Sequence, residues 1–470
     1  MNRQISNQSR FTTAPGDVLP KQIRLNLCVV ALVGLVLAGA GHVRAGDLHV
    51  PADYATIQAA VDAAAPGDTI HIAPGVYTEQ TTIIGKDLTL IGRPGTILRA
   101  YPEMALSFPE YSRYLVGILG VLRADVTVSG LTFEGERLGD TPLWDLGGVY
   151  FLGASGRVED CRFTGFRAST LAVNWYCRGV LVTNPVSLGT DVVDIKVLRC
   201  TFADNVISIW LIGDDLTPDQ STYDPTLLRT TISVCDNTII GNGPDPTGQQ
   251  IGIRIWGGVS GVMKRNIIND HSWVDPTSAP TSIAFGLLAD GYPLHIEGNI
   301  FRNNQVHCAL LGADGSAVVN NTFEGTAPGV RPTGLAFSGQ DVLVANNRFS
   351  NIETGVLLLG DDPDFPDVGT ASNATLVDNG FCNVDTNYNF EPLATYDLQS
   401  TLTCPEPTLD LAPAMLLSWP FAYDGYLVES AHSPEGPWSP LDATVFLQNG
   451  AHHAAVPAAD APQFFRLVKP

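Results

Sequence analysis

The chain has 470 residues, of which 45% are hydrophobic and 16% charged, with 46 glycines and 32 prolines. That composition supports a large core and is poor in helix-forming material, so an all-helical fold is excluded and a folded β-rich protein is expected. A formal charge of −22 repels phosphate backbones and excludes nucleic acid as an expected partner.

Residues 1–45 read as a signal peptide. Lys21 and Arg24 precede the apolar run from Leu25 to Ala40, and Val43-Arg44-Ala45 supplies small residues where a signal peptidase cuts. Cleavage there removes five basic residues and one acidic one, taking the formal charge from −22 to −26. No later stretch is long enough to span a membrane, so a secreted or cell-surface protein of bacterial type is expected. Seven of the eight cysteines remain, with no C-x-x-C spacing among them, which argues against a zinc site or a thioredoxin-like motif.

The next stretch opens with Ile57, Val61 and Ala64 at helical spacing, stopped by Pro66-Gly67. Strands are predicted at Thr69 to Ile72, Thr81 to Ile84 and Leu88 to Ile91. A single short helix ahead of a run of strands suits the cap of a solenoid, whose first coil would otherwise expose core and strand edges.

Three segments here, Thr56 to Val61, Pro66 to Ile70 and Pro74 to Glu79, follow the pattern T-I-Q-x-A-V, P-G-D-T-I and P-G-x-Y-x-E. This opening resembles the first coils of right-handed parallel β-helix proteins of the pectin-lyase-like superfamily, pectin methylesterases among them. The resemblance implies a β-helix over about residues 46–404. The segments that bring the esterases their catalytic aspartates, Gln and Arg have no counterpart, so it implies fold and not esterase activity. Of the enzymes on this fold, a polysaccharide lyase fits better than an esterase or glycoside hydrolase.

The phrases VTVSGLTFEG, GRVEDCRFTGF and IKVLRCTFADN place Phe133, Phe163 and Phe202 in one inward column. From Cys235 onward the phrase becomes regular. An Asn (Asn237, Asn266, Asn299, Asn321, Asn347, Asn379) is followed two residues later by Ile239, Ile268, Phe301, Phe323, Phe349 or Phe381. The five steps cover 142 residues, a mean period of about 28 that signals a repeat architecture. One β coil per repeat stacks like residues at roughly 4.8 Å, giving an apolar column and an Asn ladder, with the Asn free to take the left-handed turn conformation. Cys161 and Cys200 hold the place of Asn in two earlier coils and are expected as stacked thiols ahead of a disulfide.

A second strand accompanies each Asn phrase. Aligning VISIWLIGDD with GIRIWGGVSG puts Ile207 and Ile209 inward beside Ile253 and Ile255. Trp210 and Trp256 then face outward on adjacent coils, with Arg254 beside them. Two such rings suit stacking on sugar, and a guanidinium suits a carboxylate. Trp210, Arg254 and Trp256 are therefore the candidate substrate-binding residues, with extracellular polysaccharide, acidic by preference, as the expected partner. Asp214, Asp215 and Asp219, with Asp224 in the same loop, form a candidate Ca²⁺ site, as do Asp361, Asp362, Asp364 and Asp367 farther on; solvated acidic loops are the plainer reading of both. Lys264 and Arg265 are the candidate lyase bases, within a wider acid-base set that adds Asp214, Asp215, Arg254, Asp270 and His271. Binding leads this reading, lyase catalysis is the alternative, and a structural or adhesion role is the third. A monomer is expected.

Beyond Cys404, strands around Leu417-Ser418-Trp419, Tyr426 to Ser430 and Phe464 to Leu467, with Trp438, suggest a small β-sandwich over residues 405–470. They resemble the fibronectin-type-III-like modules that close many secreted bacterial proteins, which implies binding, spacing or anchoring.

Overall fold

The structure is a computed structural model. It describes residues 45–403 apart from 111–114, 140–144, 169–176, 186–187, 214–226, 245–249, 274–283, 292, 326–331 and 361–368, and beyond them 414–420, 427–441, 445–448, 451–457 and 464–468.

The cap forms as its residues dictate. The helix Ile57–Ala63 buries Ile57, Ala60 and Val61, and Thr56 at its N-cap accepts from the Ala59 N–H. The Glu79 carboxylate accepts from the N–H groups of Ile57 and Gln58 at 3.0 and 3.2 Å, satisfying donors that a helix start leaves open. The strands Thr69–Ile72, Thr81–Ile84 and Leu88–Gly92 follow.

From there the chain winds as a right-handed parallel β-helix. One strand of each coil joins a 13-stranded parallel sheet. Most others join a 21-stranded sheet containing two ladders, one of three-residue strands such as Ile300–Arg302 and one of longer strands such as Ile207–Ile212 and Ile251–Trp256, while Gly339–Gln340 and Ala371–Ser372 pair in a separate two-stranded sheet. The apolar column is continuous, running in register from Phe133 through Phe163, Phe202, Ile239, Ile268, Phe301, Phe323 and Phe349 to Phe381. Successive Phe rings stack at 4.7–5.1 Å.

The Asn ladder runs beside that column. Each side-chain amide from Asn237 to Asn347 donates to the next Asn Oδ1 at 2.9 or 3.0 Å. The backbone N–H of each donates to the same oxygen. The left-handed turn residue is the one before the ladder Asn and not the Asn itself, as at Asp236, Arg265, Asn320, Asn346 and Asp378. The ladder Asn must point its side chain inward along the stack, which leaves the sharp bend to its predecessor. Cys161 and Cys200 occupy the same column as free, buried thiols, with sulfurs near the Val128 and Val158 carbonyls at 3.6 and 3.5 Å.

The chain divides into two compact units between Leu402 and Thr403. The second contains two three-stranded antiparallel sheets around a small core of Trp419, Val428 and Ala454, with Leu417, Leu441, Phe465 and Leu467 packed against it.

Candidate functional site

The ladder of longer strands presents two chemically different faces because the chain bends within each strand. Ile209 and Leu211 lie in the main core, while Ile207, Trp210 and Ile212 belong to a separate outer cluster with Leu181, Ile251 and Leu288. The bend falls on a column formed by Gly148, Gly179, Ser208, Gly252, Gly286, His307, Gly334 and Gly355, whose flanking residues are in register. Glycine holds six of these eight positions, and close approach explains it at two of them. A Cβ at Gly334 would stand 2.7 Å from the Phe349 ring, and one at Gly355 would stand 2.4 Å from the Phe381 ring. Ile207 therefore faces outward, in contrast to the inward position expected from alternation.

The register also differs from expectation. Ile207 pairs with Ile251, Ile209 with Ile253, Trp210 with Arg254, and Ile212 with Trp256. Both tryptophans leave the core face as expected, but they are offset by two residues along the strand and do not stand side by side. Arg254 lies between them, its guanidinium carbon 5.3 Å from the Trp210 ring centroid and 5.6 Å from that of Trp256. These distances are within the reach of cation–π attraction. Trp210 is only 8% exposed, which makes it a buttress and not an open platform. Its indole N–H is buried without a hydrogen-bond partner, a costly state for a donor. Trp256 and Arg254 are half-buried.

Behind Trp210 lies a buried ionic group. The Arg178 guanidinium stacks on the Trp210 ring at 4.2 Å and pairs with Asp145, while the Tyr150 hydroxyl donates to the Asp145 carbonyl at 2.6 Å. Burial is the largest influence on the Asp145 carboxyl and raises it above the ordinary carboxylate range, against the opposing pull of Arg178. Alternating Arg178, Trp210, Arg254 and Trp256 thus form one stack crossing three coils.

The open end of this stack holds a residue that sequence reasoning passed over. Asp290 ends the strand Phe285–Asp290. Ala289 pairs with Ile255, so Asp290 stands level with Trp256 on the outer face. Desolvation by burial raises its carboxyl to about 6, and the charge of Arg254 pulls the other way. The signal available in the sequence was an acid closing the apolar run FGLLAD at the level where the preceding coil carries Trp256.

The other expected site residues lie elsewhere. Lys264 ends a strand of the 13-stranded sheet and pairs with Glu297 at 2.7 Å. Arg265 follows in the left-handed turn, 61% exposed, and holds both oxygens of Asp236 at 2.7 Å. Neither joins the tryptophan face, because the corner at Gly257 and Gly258 turns the chain between Trp256 and that sheet. Asp270 accepts from Asn303 at 3.1 Å. His271 is buried against Asn304 at 2.9 Å, and burial lowers it to about 4. Both serve the turn between the short and long strands. Asp214, Asp215, Asp219 and Asp224, like Asp361, Asp362, Asp364 and Asp367, lie outside the described residues. Among the described residues, no group of three or more His, Cys, Asp or Glu side chains is placed to hold a metal ion, and no helix is long and apolar enough to cross a membrane.

No protein-family model matches the chain, and no curated protein matches it. Solved structures do. A point mutant of the PL6 family alginate lyase AlyGC aligns with 76% of this chain and 51% of its own at 15% identity, with a TM-score of 0.50; the chain thus spans about half the length of that enzyme. The A-module of the mannuronan C-5 epimerase AlgE6 from Azotobacter vinelandii aligns over 74% of this chain and 94% of its own, at 14% identity and TM-score 0.44. The periplasmic alginate epimerase AlgG aligns over 72% and 77%, at 10% identity and TM-score 0.40. At these identities the likeness is one of fold.

Proposed function

We propose that this protein is a polysaccharide-directed β-helix protein that binds an extracellular glycan on the outer face of its ladder of longer strands, at Arg254, Trp256 and Asp290. The observation carrying this reading is the half-buried Arg254 held between two indole rings. A rigid cation against an aromatic edge offers a sugar both a charge-assisted contact for its oxygens and a surface for its C–H groups. Trp210 contributes from behind by fixing the guanidinium. Export through the segment 1–45, the division into a solenoid over 46–404 and a module over 405–470, and a monomeric state belong to the same proposal.

Asp290 supports catalysis as a second reading. A carboxylate that burial raises to about 6, beside an arginine, can accept the proton from the carbon next to a uronate carboxyl; the C–H electron pair becomes the new double bond, the glycosidic C–O bond breaks, and the leaving oxygen is protonated by water. A lyase using Lys264 or Arg265 would first have to break the ion pairs that hold them. A glycan screen of residues 46–470, with and without Ca²⁺, separates the readings by retention and by ultraviolet absorbance from unsaturated uronic ends. Retention without absorbance supports binding. Absorbance that disappears in Asp290→Asn establishes the lyase, and silence on both counts overturns the glycan proposal.

A further inference from the structure

Resting on the reading of this face as a glycan site, we propose that it takes a carboxylate-bearing sugar when Asp290 is in its acid form, so that binding tightens as the medium acidifies. The geometry sets up a competition. Asp290 lies level with Trp256, one strand over from Arg254 and diagonal to it, a separation of roughly 8 Å between backbones. A uronate carboxylate drawn to Arg254 must therefore approach Asp290 as well.

Two carboxylates sharing one cation in a half-buried place repel one another, and the cheapest relief is protonation of one of them. The carboxyl of Asp290 is the one that yields, because burial has already brought it to about 6, whereas a free sugar acid stays ionised well below that. Once protonated, Asp290 also gains an O–H that can donate to the ligand's carboxylate, a strong charge-assisted bond.

The charges around Asp290 are few. In the neighbouring strand Ile251–Trp256, Arg254 is the one charged residue. On the other side, Leu311 of Val306–Leu311 stands in register with Asp290, and His307 of that strand is buried between the Phe301 and Phe323 rings. At the corner, Gly291 follows Asp290 and lies near Gly257. Among the described residues Arg254 is thus the charge that Asp290 meets, and its pull toward the ionised form is smaller than the effect of burial.

The test is affinity for sodium alginate, sodium polygalacturonate and neutral dextran at pH 5.0 and 7.5 and constant ionic strength, for the unaltered protein, Asp290→Asn and Trp256→Ala. With the competent form set by a carboxyl near 6, polyuronate affinity should be about 30-fold tighter at pH 5.0. Asp290→Asn should bind equally at both pH values and at pH 7.5 more tightly than the unaltered protein. Equal binding of the unaltered protein at both pH values overturns the proposal, as does a pH response that survives Asp290→Asn. In either case polyuronate binding lost in Trp256→Ala leaves the glycan reading standing. Retention of dextran alone overturns the acid-form proposal, and no retention of any glycan overturns both.

Discussion

Trp210 stands directly across from Arg254 on the neighbouring coil, and Ile212 stands across from Trp256. The two indoles bracket a guanidinium instead of lying edge to edge, so they have different duties. Trp210 is buried and touches Arg178 as well as Arg254, whereas Trp256 borders the half-open end beside Asp290.

The two tryptophans should therefore separate in mutagenesis. Trp256→Ala is expected to abolish glycan retention while shifting the thermal midpoint by only a few degrees. Trp210→Ala removes a buried ring and should cost about 3–5 kcal/mol, in the range for large aromatic truncations. Thermal melts paired with glycan retention check the split, and equal destabilisation by both variants would count against the assigned roles.

The pair Asp145 and Arg178 invites a double-mutant cycle. Arg178 is 3% exposed and Asp145 5%, so removing one partner strands the other charge in a dry place. Arg178→Met or Asp145→Leu alone should each cost roughly 3–5 kcal/mol, and the double variant much less than their sum. Urea unfolding of the three variants measures the coupling. Additive losses would show that the ions do not depend on each other.

Much of this fold was legible because its signals repeat. Phe301, Phe323, Phe349 and Phe381 each follow an Asn by two residues, and an inward column is the arrangement that buries all of them. The register of Trp210 was not legible, since sliding one strand by two residues leaves every side chain on its original face. Alternation failed at Ile207, where the glycine column bends the chain and buries residues 208 and 209 together. Asp290 escaped notice because an aspartate before a glycine reads as the end of a strand. Its meaning comes from Arg254, 36 positions earlier in the sequence.

The Asn ladder should be cooperative. Asn299→Ala removes the oxygen that accepts from both the side chain and the backbone of Asn266. It also removes the amide that donates to Met263 and Asn321. With several buried groups left unpaired, a loss of about 2–4 kcal/mol is expected, more than for an exposed turn residue such as Asn320→Ala. Hydrogen exchange should show the Asn266 amide losing protection first. Unchanged protection there would mean that the ladder is decorative.

Acid should destabilise the solenoid through His271 and His307. Burial lowers the first to about 4 and the second to about 3, whereas both titrate near 6.5 when unfolded. The unfolded chain therefore binds more protons below pH 6.5, so the stability these neutral rings contribute is present above that pH and is lost as the pH falls toward 4. Asp290 acts in the opposite sense: its raised carboxyl makes the ionised form the costly one, and its penalty is relieved between about 6 and 4. Asp145 and Asp270, which burial also raises, oppose the histidines in the same sense as Asp290, so the histidine contribution, a loss of about 5 kcal/mol between pH 7 and pH 4.5, is read from the variants against the parent. His307→Gly restores the residue that most coils place in that column and should remove about half of the histidine contribution, whereas Asp290→Asn should steepen the decline. Denaturant unfolding at the two pH values reads all three chains. A His307→Gly protein as acid-sensitive as the parent would show that His307 is already protonated in the folded state.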